Sequence, residues 1–329
     1  MKIAVLDDYQ DAVRGLDCFK LLDGHEVKVF NSTTRGLGQL AIRLAPFDAL
    51  VLIRERTLIT RALLARLPNL RLISQTGKVS GHIDVEACTE RGVAIAEGVG
   101  SPVAPAELTW ALIMAATRKI VPYASNLKDG LWQTASINPV LNGLGTVLRG
   151  RTLAIWGYGK IGKMLAGYGK AFGMHVLVWG REASRQAAEG DGFEVAVTRE
   201  AFFERADVLT LHLRLVDATR SLVTARDLGR MKPGALFVNT SRAELVEEGA
   251  LEAALLQGRP GGAAIDVFTS EPPAADSPLL RIPTVLATPH LGYVEMDSYE
   301  LYFEAAFTNI VNFAAGAPSG ILNMRSVTG

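Results

Sequence analysis

The sequence predicts an α/β protein with two doubly wound, mostly parallel β-sheets, each in its own domain. Three observations lead to this prediction: the length, the alternation of short apolar runs with amphipathic stretches, and a restart of that alternation near the middle of the chain. The chain has 329 residues, whereas one domain takes roughly 150. Strands separated by helices cannot be joined by tight turns, so the sheets are expected to be parallel.

The first series of strands lies in the N-terminal third of the chain. Helical patterns over residues 60–67 and 84–91 alternate with apolar runs rich in β-branched residues. These runs predict five strands, at residues 2–6, 26–30, 48–53, 70–74 and 93–96.

A segment of a different kind follows the first series. Pro105 and Glu107 are expected to open a long apolar helix that runs to about Arg118, since proline and an acidic residue both suit a first helical turn. Residues 120–150, which include Trp132 and several glycines, are predicted to be irregular.

The strand pattern then restarts and ends in a helix. The apolar, helically spaced residues of about 295–313 predict that final helix, with no strand after it. Six strands are predicted in the second series, at residues 152–156, 175–179, 207–211, 235–239, 262–267 and 284–287.

Composition narrows the range of partners and compartments. Hydrophobic residues make up 49% of the chain, and 34 Lys plus Arg balance 34 Asp plus Glu, so neither nucleic acid nor an anionic membrane is indicated as a partner. Cys18 and Cys88 cannot form a disulfide framework and fit a reducing compartment. Asp7 and Asp8 come too early for a signal peptide, and residues 108–116 are too short to span a bilayer, so a cytoplasmic protein is predicted.

The strongest local motif is the run GYGKIG at residues 157–162, which follows an apolar strand and opens an amphipathic helix. In a dinucleotide-binding Rossmann domain, Gly157 would allow the tight turn, Gly159 would let the backbone approach a pyrophosphate, and Gly162 would let helix and strand pack closely. The alternative is an ordinary glycine-rich turn. The predicted phosphate-binding residues are Gly157, Gly159, Lys160, Ile161 and Gly162.

The next strand of this domain ends without a carboxylate. An acidic residue about 20 positions after the glycines ordinarily binds the ribose hydroxyls of NAD, but Gly180 stands at this strand end. Arg181 or Arg185 would pair with a 2′-phosphate through bidentate hydrogen bonds. The sequence therefore favours NADP over NAD. The alternative is that both arginines are solvated and Glu182 binds the ribose.

Three more segments follow in the second half of the chain: NTSR at residues 239–242, DVFTSEP at 266–272 and TPHLGY at 288–293. With the glycine motif and Ala106-Glu107, they resemble the D-isomer-specific 2-hydroxyacid dehydrogenases, from the first strand to the last helix. The resemblance implies a discontinuous, flavodoxin-like substrate domain over residues 1–99 and 291–329. It also implies a Rossmann cofactor domain over 100–290, with a dimerisation arm at about 105–150 and a cleft between the domains.

The resemblance also implies a reaction and its residues. A small 2-oxo acid and its D-2-hydroxy acid would be interconverted with NAD(P)H. Arg242 would hold the carboxylate and keto oxygen, His290 would donate the proton, and Glu271 would favour and orient the imidazolium. Taken singly, each of the three also has a purely structural interpretation.

His212 would form a pocket wall, and Asp266 would bind the nicotinamide carboxamide or cap its strand end. The remaining implied cofactor-binding residues are Gly180, Arg181, Arg185, Leu213 and Thr240.

The resemblance also implies a substrate-binding loop, and this sequence departs from the family pattern at a few positions. Backbone amides of a small-residue loop bind the substrate carboxylate in the family, and the matching residues here are Thr76, Gly77 and Lys78. Lys78 is unusual and either adds a positive charge for a doubly anionic substrate or points to solvent. Two further departures are Ala243, where glycine is common, and Arg214, where proline is usual.

Several alternatives stay open at this point. Glyoxylate and hydroxypyruvate are the plainest substrates, and a short-form D-3-phosphoglycerate dehydrogenase is a second possibility. A nucleotide-sensing protein similar to the C-terminal-binding corepressors is a third. The apolar helix of residues 108–116 and the arm at Trp132 suggest a homodimer, as in the family. His25, His82 and His175 lack metal-ligand spacing, so no metal site is predicted.

Overall fold

The computed structural model of the protein describes residues 1–34, 36–133, 138, 140 and 143–323. The chain divides into two compact units. Unit 1 comprises Met1–Ser101 with Glu295–Gly329, and unit 2 comprises Pro102–Val294. Each unit contains one sheet whose paired strands are all parallel. The predicted fold class is therefore confirmed.

Unit 1 is a five-stranded sheet in the order β2-β1-β3-β4-β5. The C-terminal helix, Met296–Ala314, covers it, and the Ser74 hydroxyl of β4 donates to the carbonyl of Ala306 at 2.8 Å. The strands are β1 (Lys2–Val5), β2 (Glu26–Val29), β3 (Ala49–Leu52), β4 (Leu72–Gln75) and β5 (Ala94–Ala96). The other helices are α1 (Leu37–Leu44), α2 (Arg61–Leu64) and α3 (Val85–Glu90), with 3₁₀ turns at Val13–Gly15 and Asp17–Leu22.

Unit 2 is a seven-stranded sheet in the order β12-β11-β10-β9-β6-β7-β8. The strands are β6 (Thr152–Trp156), β7 (His175–Trp179), β8 (Glu194–Val195), β9 (Val208–Leu211), β10 (Leu236–Asn239), β11 (Gly262–Ile265) and β12 (Val285–Ala287). The helices are α4 (Val103–Thr117), α5 (Ile120–Lys128), α6 (Lys160–Ala171), α7 (Glu182–Gly190), α8 (Arg199–Arg205), α9 (Ala225–Gly229), α10 (Ala250–Leu256) and α11 (Pro278–Arg281). Short 3₁₀ turns lie at Asp217–Thr219 and Ala243–Leu245.

Both sheets are covered on their two faces. Every residue of β3, β4, β9 and β10 is buried, as expected for parallel strands that are covered on both faces. The polar residues among them are Ser74, Gln75, Thr210 and Asn239. In unit 2, one core forms around Phe202, Phe203 and Phe237, and a second around Ile113 and Leu165.

The helices that follow the five strands of unit 1 differ from the prediction in where they begin and in their number. Helix α4 begins at Val103, so Pro105 is its third residue rather than its opening. Residues 120–128, predicted to be irregular, form α5, with Pro122 again as third residue. Proline is tolerated in a first turn because those N–H groups have no intrahelical acceptor. Lys119, with a left-handed φ of 53°, separates the two helices. Among the described residues, no helix has the length and apolar character required to cross a membrane.

The predicted dimerisation arm is only partly described. Within α4, Leu112 and Ile113 belong to the core of unit 2, so this helix does not present all its apolar residues to a partner. Ile120 and Val121 of α5 and the Trp132 side chain, which is 70% exposed, lie at the surface. Residues 134–137, 139 and 141–142 of the arm lie outside the described residues.

Candidate active site

The glycine motif lies where the strand order of unit 2 reverses direction. Strands β7 and β8 follow on one side of β6, and β9 to β12 follow on the other. The loop after β6 carries the motif, and the loop after β9 carries His212 and Leu213. In doubly wound sheets, ligands bind at such a switch point, outside the carboxyl ends of the strands.

Each of the three glycines of the motif is required, or permitted, by a different feature of its surroundings. Gly157 has a φ of +103°, and a Cβ there would overlap the carbonyl oxygen of His212. A Cβ on Gly162 would overlap the carbonyl oxygen of Gly157. Gly159 caps α6, and a Cβ there would meet no protein atom within 4 Å. The open space, together with the N–H groups at the helix start, including those of Lys160 and Ile161, fits the pyrophosphate of a dinucleotide.

This difference gives a test of the loop. We expect Gly159→Ala to leave stability nearly unchanged, because the new methyl group meets no protein atom. The Kd for NADPH should rise about tenfold or more, since one charge-assisted hydrogen bond to a phosphate is worth that much. Gly162→Ala serves as the contrast and should lower the free energy of unfolding by about 1–3 kcal/mol through overpacking. Fluorescence titration and urea unfolding measure the two effects, and an unchanged Kd for Gly159→Ala would contradict the assignment.

Two arginines follow β7, and they differ in exposure and in hydrogen bonding. Arg181 caps α7 and is exposed. The Arg185 guanidinium lies 5.2 Å from the centroid of the Trp179 ring and donates to Glu182 Oε2 at 2.6 Å. Arg185 is therefore held in place by a carboxylate, while Arg181 keeps an exposed side chain. A Cβ on Gly180 would lie 3.2 Å from Cβ of Ser184, so the glycine permits a close start of α7.

His212 lies against the glycine loop, because its carbonyl oxygen occupies the space that a Cβ on Gly157 would need. Its ring nitrogen Nε2 lies 2.8 Å from the Thr210 hydroxyl, and its backbone N–H donates to the Trp156 carbonyl at 2.8 Å. Burial lowers the pKa of His212 from 6.5 to about 3. The ring is thus neutral near pH 7, which suits a pocket wall and not a proton donor.

The pKa of His212 has a consequence for stability. In the unfolded chain the ring takes up a proton as the pH falls below 6.5, whereas in the folded protein it does so only near pH 3. This residue's contribution is therefore complete above pH 6.5 and is lost as the pH falls toward 3. We expect the free energy of unfolding of wild type to fall more steeply between pH 7 and pH 5 than that of His212→Asn, as measured by urea unfolding. Equal slopes would contradict this expectation.

Arg242 follows β10 in a loop that its neighbours shape. Asn239 Nδ2 donates to the Arg242 carbonyl at 2.8 Å, and the Asn239 side-chain oxygen accepts from the Ser241 N–H at 3.0 Å. Thr240 Oγ1 lies 2.7 Å from Thr109 Oγ1 of α4. Arg242 Nη1 donates to the Ser241 carbonyl at 2.7 Å. Ala243 begins a 3₁₀ turn, a conformation that does not require the glycine common in the family.

The structure brings His290 and Glu271 together. His290 Nδ1 lies 2.6 Å from Glu271 Oε2. Because a carboxylate only accepts, Nδ1 carries the hydrogen, and Nε2 is the atom that remains for proton exchange. Glu271 Oε1 accepts from the Phe268 N–H at 3.0 Å, which fixes the carboxylate.

The charge on Glu271 is stabilised by its surroundings. Burial alone would raise the pKa of Glu271, whereas the hydrogen bond and the charge of His290 act in the opposite direction. The Phe268 N–H and the charge of Arg242 lower it further. The net pKa lies below the ordinary value of a glutamate, so the carboxylate is ionised near neutral pH.

Asp266 holds the loop that carries His290. Its carboxylate is fully buried and accepts from the Thr288 hydroxyl at 2.5 Å, the Leu291 N–H at 2.7 Å and the Gly292 N–H at 2.9 Å. Burial raises the pKa of Asp266, while these donors and the charge of His290 act in the opposite direction. These contacts tie the end of β11 to the loop that carries His290. The contact of Asp266 with a carboxamide stays a prediction.

The predicted substrate loop lies in unit 1, after β4. Thr76 is buried, whereas the N–H groups of Gly77 and Lys78 donate to no acceptor in the part of the chain that the structure describes. Two adjacent N–H groups of this kind can bind a carboxylate oxygen. The Lys78 ammonium pairs with Glu97 Oε2 at 2.8 Å, so its charge is compensated within unit 1.

The sequence prediction missed Arg54, which follows β3 in the same unit. A Cβ on Gly77 would overlap Nη1 of Arg54, so the guanidinium lies directly against the substrate loop. The switch point of this sheet lies between β1 and β3, and Arg54 stands at the carboxyl end of β3. A cation directly after a buried strand beside a switch point was the signal that could have found it.

The doubly wound unit 2, its glycine loop at the switch point and its paired histidine and glutamate define a nicotinamide-dependent dehydrogenase. The model of the D-isomer specific 2-hydroxyacid dehydrogenase NAD binding domain matches residues 110–292. The chain belongs to the family of D-isomer specific 2-hydroxyacid dehydrogenases.

Three similar proteins illustrate this relationship. The phosphoglycerate oxidoreductase of Vibrio cholerae is 58% identical and superposes with a TM-score of 0.93, over 96% of this chain and 100% of that one. The glyoxylate reductase of Aeropyrum pernix is 36% identical over 80% of each chain. The D-3-phosphoglycerate dehydrogenase of Methanocaldococcus jannaschii is 34% identical over 89% of this chain, which matches only 53% of that longer protein.

Proposed function

We propose that the protein reduces a small 2-oxo acid to the D-2-hydroxy acid with NAD(P)H, and that glyoxylate or hydroxypyruvate is its substrate. The observation that carries the proposal is the 2.6 Å pair of His290 and Glu271, which leaves Nε2 for proton exchange. In the direction of reduction, the imidazolium gives its Nε2 proton to the developing alkoxide. In the direction of oxidation, Nε2 takes the hydroxyl proton.

A bound nicotinamide supplies the hydride. The dinucleotide would be held by the residues around the unit 2 switch point. Gly157, Gly159 and Gly162 shape the pyrophosphate loop, and His212 with Leu213 forms the facing wall. The other proposed contacts come from Lys160, Ile161, Gly180, Arg181, Arg185, Thr240 and Asp266.

The substrate anion would be bound by side-chain and backbone donors. Arg242 offers charge-assisted hydrogen bonds to the carboxylate and keto oxygen. In unit 1, the N–H groups of Gly77 and Lys78 and the guanidinium of Arg54 offer further donors to an anion.

A short-form D-3-phosphoglycerate dehydrogenase is the second candidate. Arg54 favours it, because a guanidinium beside two available amide groups suits a substrate with a second anionic group. The name of the Vibrio cholerae relative, at 58% identity, points the same way.

The test is the change in absorbance at 340 nm with NADPH and, separately, NADH. The panel contains glyoxylate, hydroxypyruvate, pyruvate, phenylpyruvate, 2-oxoglutarate and 3-phosphohydroxypyruvate. Turnover of a small acid supports the reductase, and a preference for the phosphorylated acid supports the second candidate. If both cofactors bind and no acid is turned over, the proposal fails and a nucleotide-sensing role takes its place.

We also propose a preference for NADP, which depends on Arg181. This side chain is exposed at the start of α7, whereas Arg185 is already engaged by Glu182. We expect Arg181→Ala to lower kcat/KM for NADPH about tenfold, as expected for one charged hydrogen bond, and to change that for NADH little. Arg226→Ala, which removes an exposed arginine of α9, serves as the control. An equal loss with both cofactors would contradict recognition of a 2′-phosphate by Arg181.

A homodimer is a further part of the proposal. Ile120, Val121, Leu127 and Trp132 expose large apolar side chains on unit 2, and a second copy would cover them. Light scattering at micromolar concentration should give twice the mass of one chain, and a monomer would contradict this.

A further inference from the structure

Arg54 is held in an unusual backbone conformation. Its φ is 53°, in the left-handed region that residues other than glycine seldom adopt. Two contacts define this conformation: the Arg54 N–H donates to Thr76 Oγ1 at 3.1 Å, and the Arg54 carbonyl accepts from Gln75 Nε2 at 3.0 Å. The backbone of Arg54 is thus fixed by two side chains from the end of β4.

Gln75 is itself held by a second residue. Its side chain is completely buried, and because Nε2 faces the Arg54 carbonyl, Oε1 faces the other way. Nε2 of His82 lies 3.4 Å from Oε1, and Nδ1 of His82 lies 3.2 Å from the Ser80 hydroxyl. Since Oε1 only accepts, His82 donates from Nε2, and in the neutral ring Nδ1 accepts from Ser80. A chain of hydrogen bonds therefore runs from Ser80 through His82 and Gln75 to Arg54.

The guanidinium of Arg54 lies against the loop that contains Gly77. The guanidinium occupies the space that a Cβ on Gly77 would need, beside the available N–H groups of Gly77 and Lys78. Gly98 packs against this loop. Its N–H donates to the Gly77 carbonyl at 2.9 Å, and a Cβ on Gly98 would lie 2.5 Å from the Gln75 carbonyl oxygen. With its left-handed φ, Arg54 places its guanidinium against this loop. A right-handed or extended backbone at Arg54 would direct the guanidinium away from the loop.

We infer that Gln75 and His82 are positioning residues, which hold Arg54 in its left-handed conformation so that its guanidinium and the Gly77 and Lys78 amides form one anion-binding group. This inference rests on the proposed function, because the anion it concerns is the substrate or an analogue of it. Neither residue touches the anion, and both act through Arg54.

The test compares Gln75→Met with Ser74→Ala. The first variant keeps the length of the side chain and removes both hydrogen bonds. The second removes a hydrogen bond from an equally buried residue of β4 that is bonded to Ala306 and not to Arg54. Oxamate, an unreactive analogue of a 2-oxo acid, is titrated calorimetrically with saturating NADPH. We expect the Kd for oxamate to rise about tenfold in Gln75→Met, as for a misplaced charged hydrogen bond, and to stay within about twofold of wild type in Ser74→Ala.

Arg54→Gln completes a double-mutant cycle. If Gln75 acts through Arg54, Gln75→Met should change the Kd by less than about twofold in the Arg54→Gln background, since coupled residues are not additive. Equal effects in both backgrounds, or no binding of oxamate by wild type, would overturn the inference. His82→Asn, which leaves Gln75 in place, substitutes if Gln75→Met does not fold, with an expected rise of about threefold.

The binding readout separates this inference from the proposed function. Oxamate binding and its dependence on Gln75 are measured without turnover. A protein that binds oxamate with the expected coupling but reduces no 2-oxo acid would refute the proposed reaction and support the positioning role. Turnover with an unaltered KM in Gln75→Met would do the reverse.

Discussion

Replacing His290 with asparagine is expected to lower kcat by about 10²- to 10⁴-fold, which is the usual contribution of a general acid or base. Asparagine tolerates the left-handed φ of 53° at this position, so the loop can keep its conformation. The side chain cannot exchange a proton. Steady-state kinetics at 340 nm measure the loss, and fluorescence titration should give a Kd for NADPH close to that of wild type.

Glu271→Gln is the matched variant for this prediction. Glutamine can accept the hydrogen bond from His290 Nδ1 but carries no charge, so the ring keeps its orientation and loses its electrostatic partner. A smaller loss in kcat, about tenfold, is expected, in keeping with the greater strength of a charge-assisted hydrogen bond. Turnover of His290→Asn at the wild-type rate would remove His290 from the mechanism.

Arg242→Gln is expected to lower kcat/KM for the 2-oxo acid by about 10²- to 10³-fold, because two charge-assisted hydrogen bonds to the substrate would be lost. Arg242→Lys should recover only part of this loss, since an ammonium cannot make the bidentate contact of a guanidinium. Removing the charge also removes one influence that lowers the pKa of Glu271. Initial rates over a range of acid concentrations give kcat and KM separately.

Arg214→Gln is the control for Arg242. It removes an arginine from the same unit that is exposed in the loop after β9. If Arg242 acts on the substrate and not through the net charge of the unit, Arg214→Gln should leave kcat/KM for the acid within about twofold, as expected of a change at an exposed position. Equal losses in the two variants would contradict the substrate contact.

The strands were the most predictable part of the fold. β6 and β7 lie at the predicted residues because a buried parallel strand is a continuous apolar run that local sequence reveals. The helices of the connecting segment were less predictable, since Pro105 fits several positions of a first turn and the helix Ile120–Lys128 was predicted to be irregular. The two-residue strand β8 has no pattern of its own, and its pairing with β7 defines it.

The candidate site divides in the same way. Gly157, Gly159 and Gly162 follow from a local motif, and the pairing of His290 with Glu271 follows from the family resemblance. The partners that act across the chain do not appear in any short segment. Glu97 compensates Lys78 from 19 positions away, and Asp266 accepts from Gly292, 26 positions further along. Such contacts depend on which strand ends are brought together by the sheet.

The composition of unit 1 from both ends of the chain affects how the protein is made. Unit 2 is complete once Val294 has been synthesised, whereas the β4 hydroxyl of Ser74 finds its acceptor only in the helix Met296–Ala314. Further along the chain, the Leu322 N–H also donates to the Ile95 carbonyl of β5 at 2.7 Å. During vectorial synthesis, the dinucleotide-binding half can therefore reach its native state first. Unit 1 keeps an uncovered sheet face until the helix Met296–Ala314 has also left the ribosome.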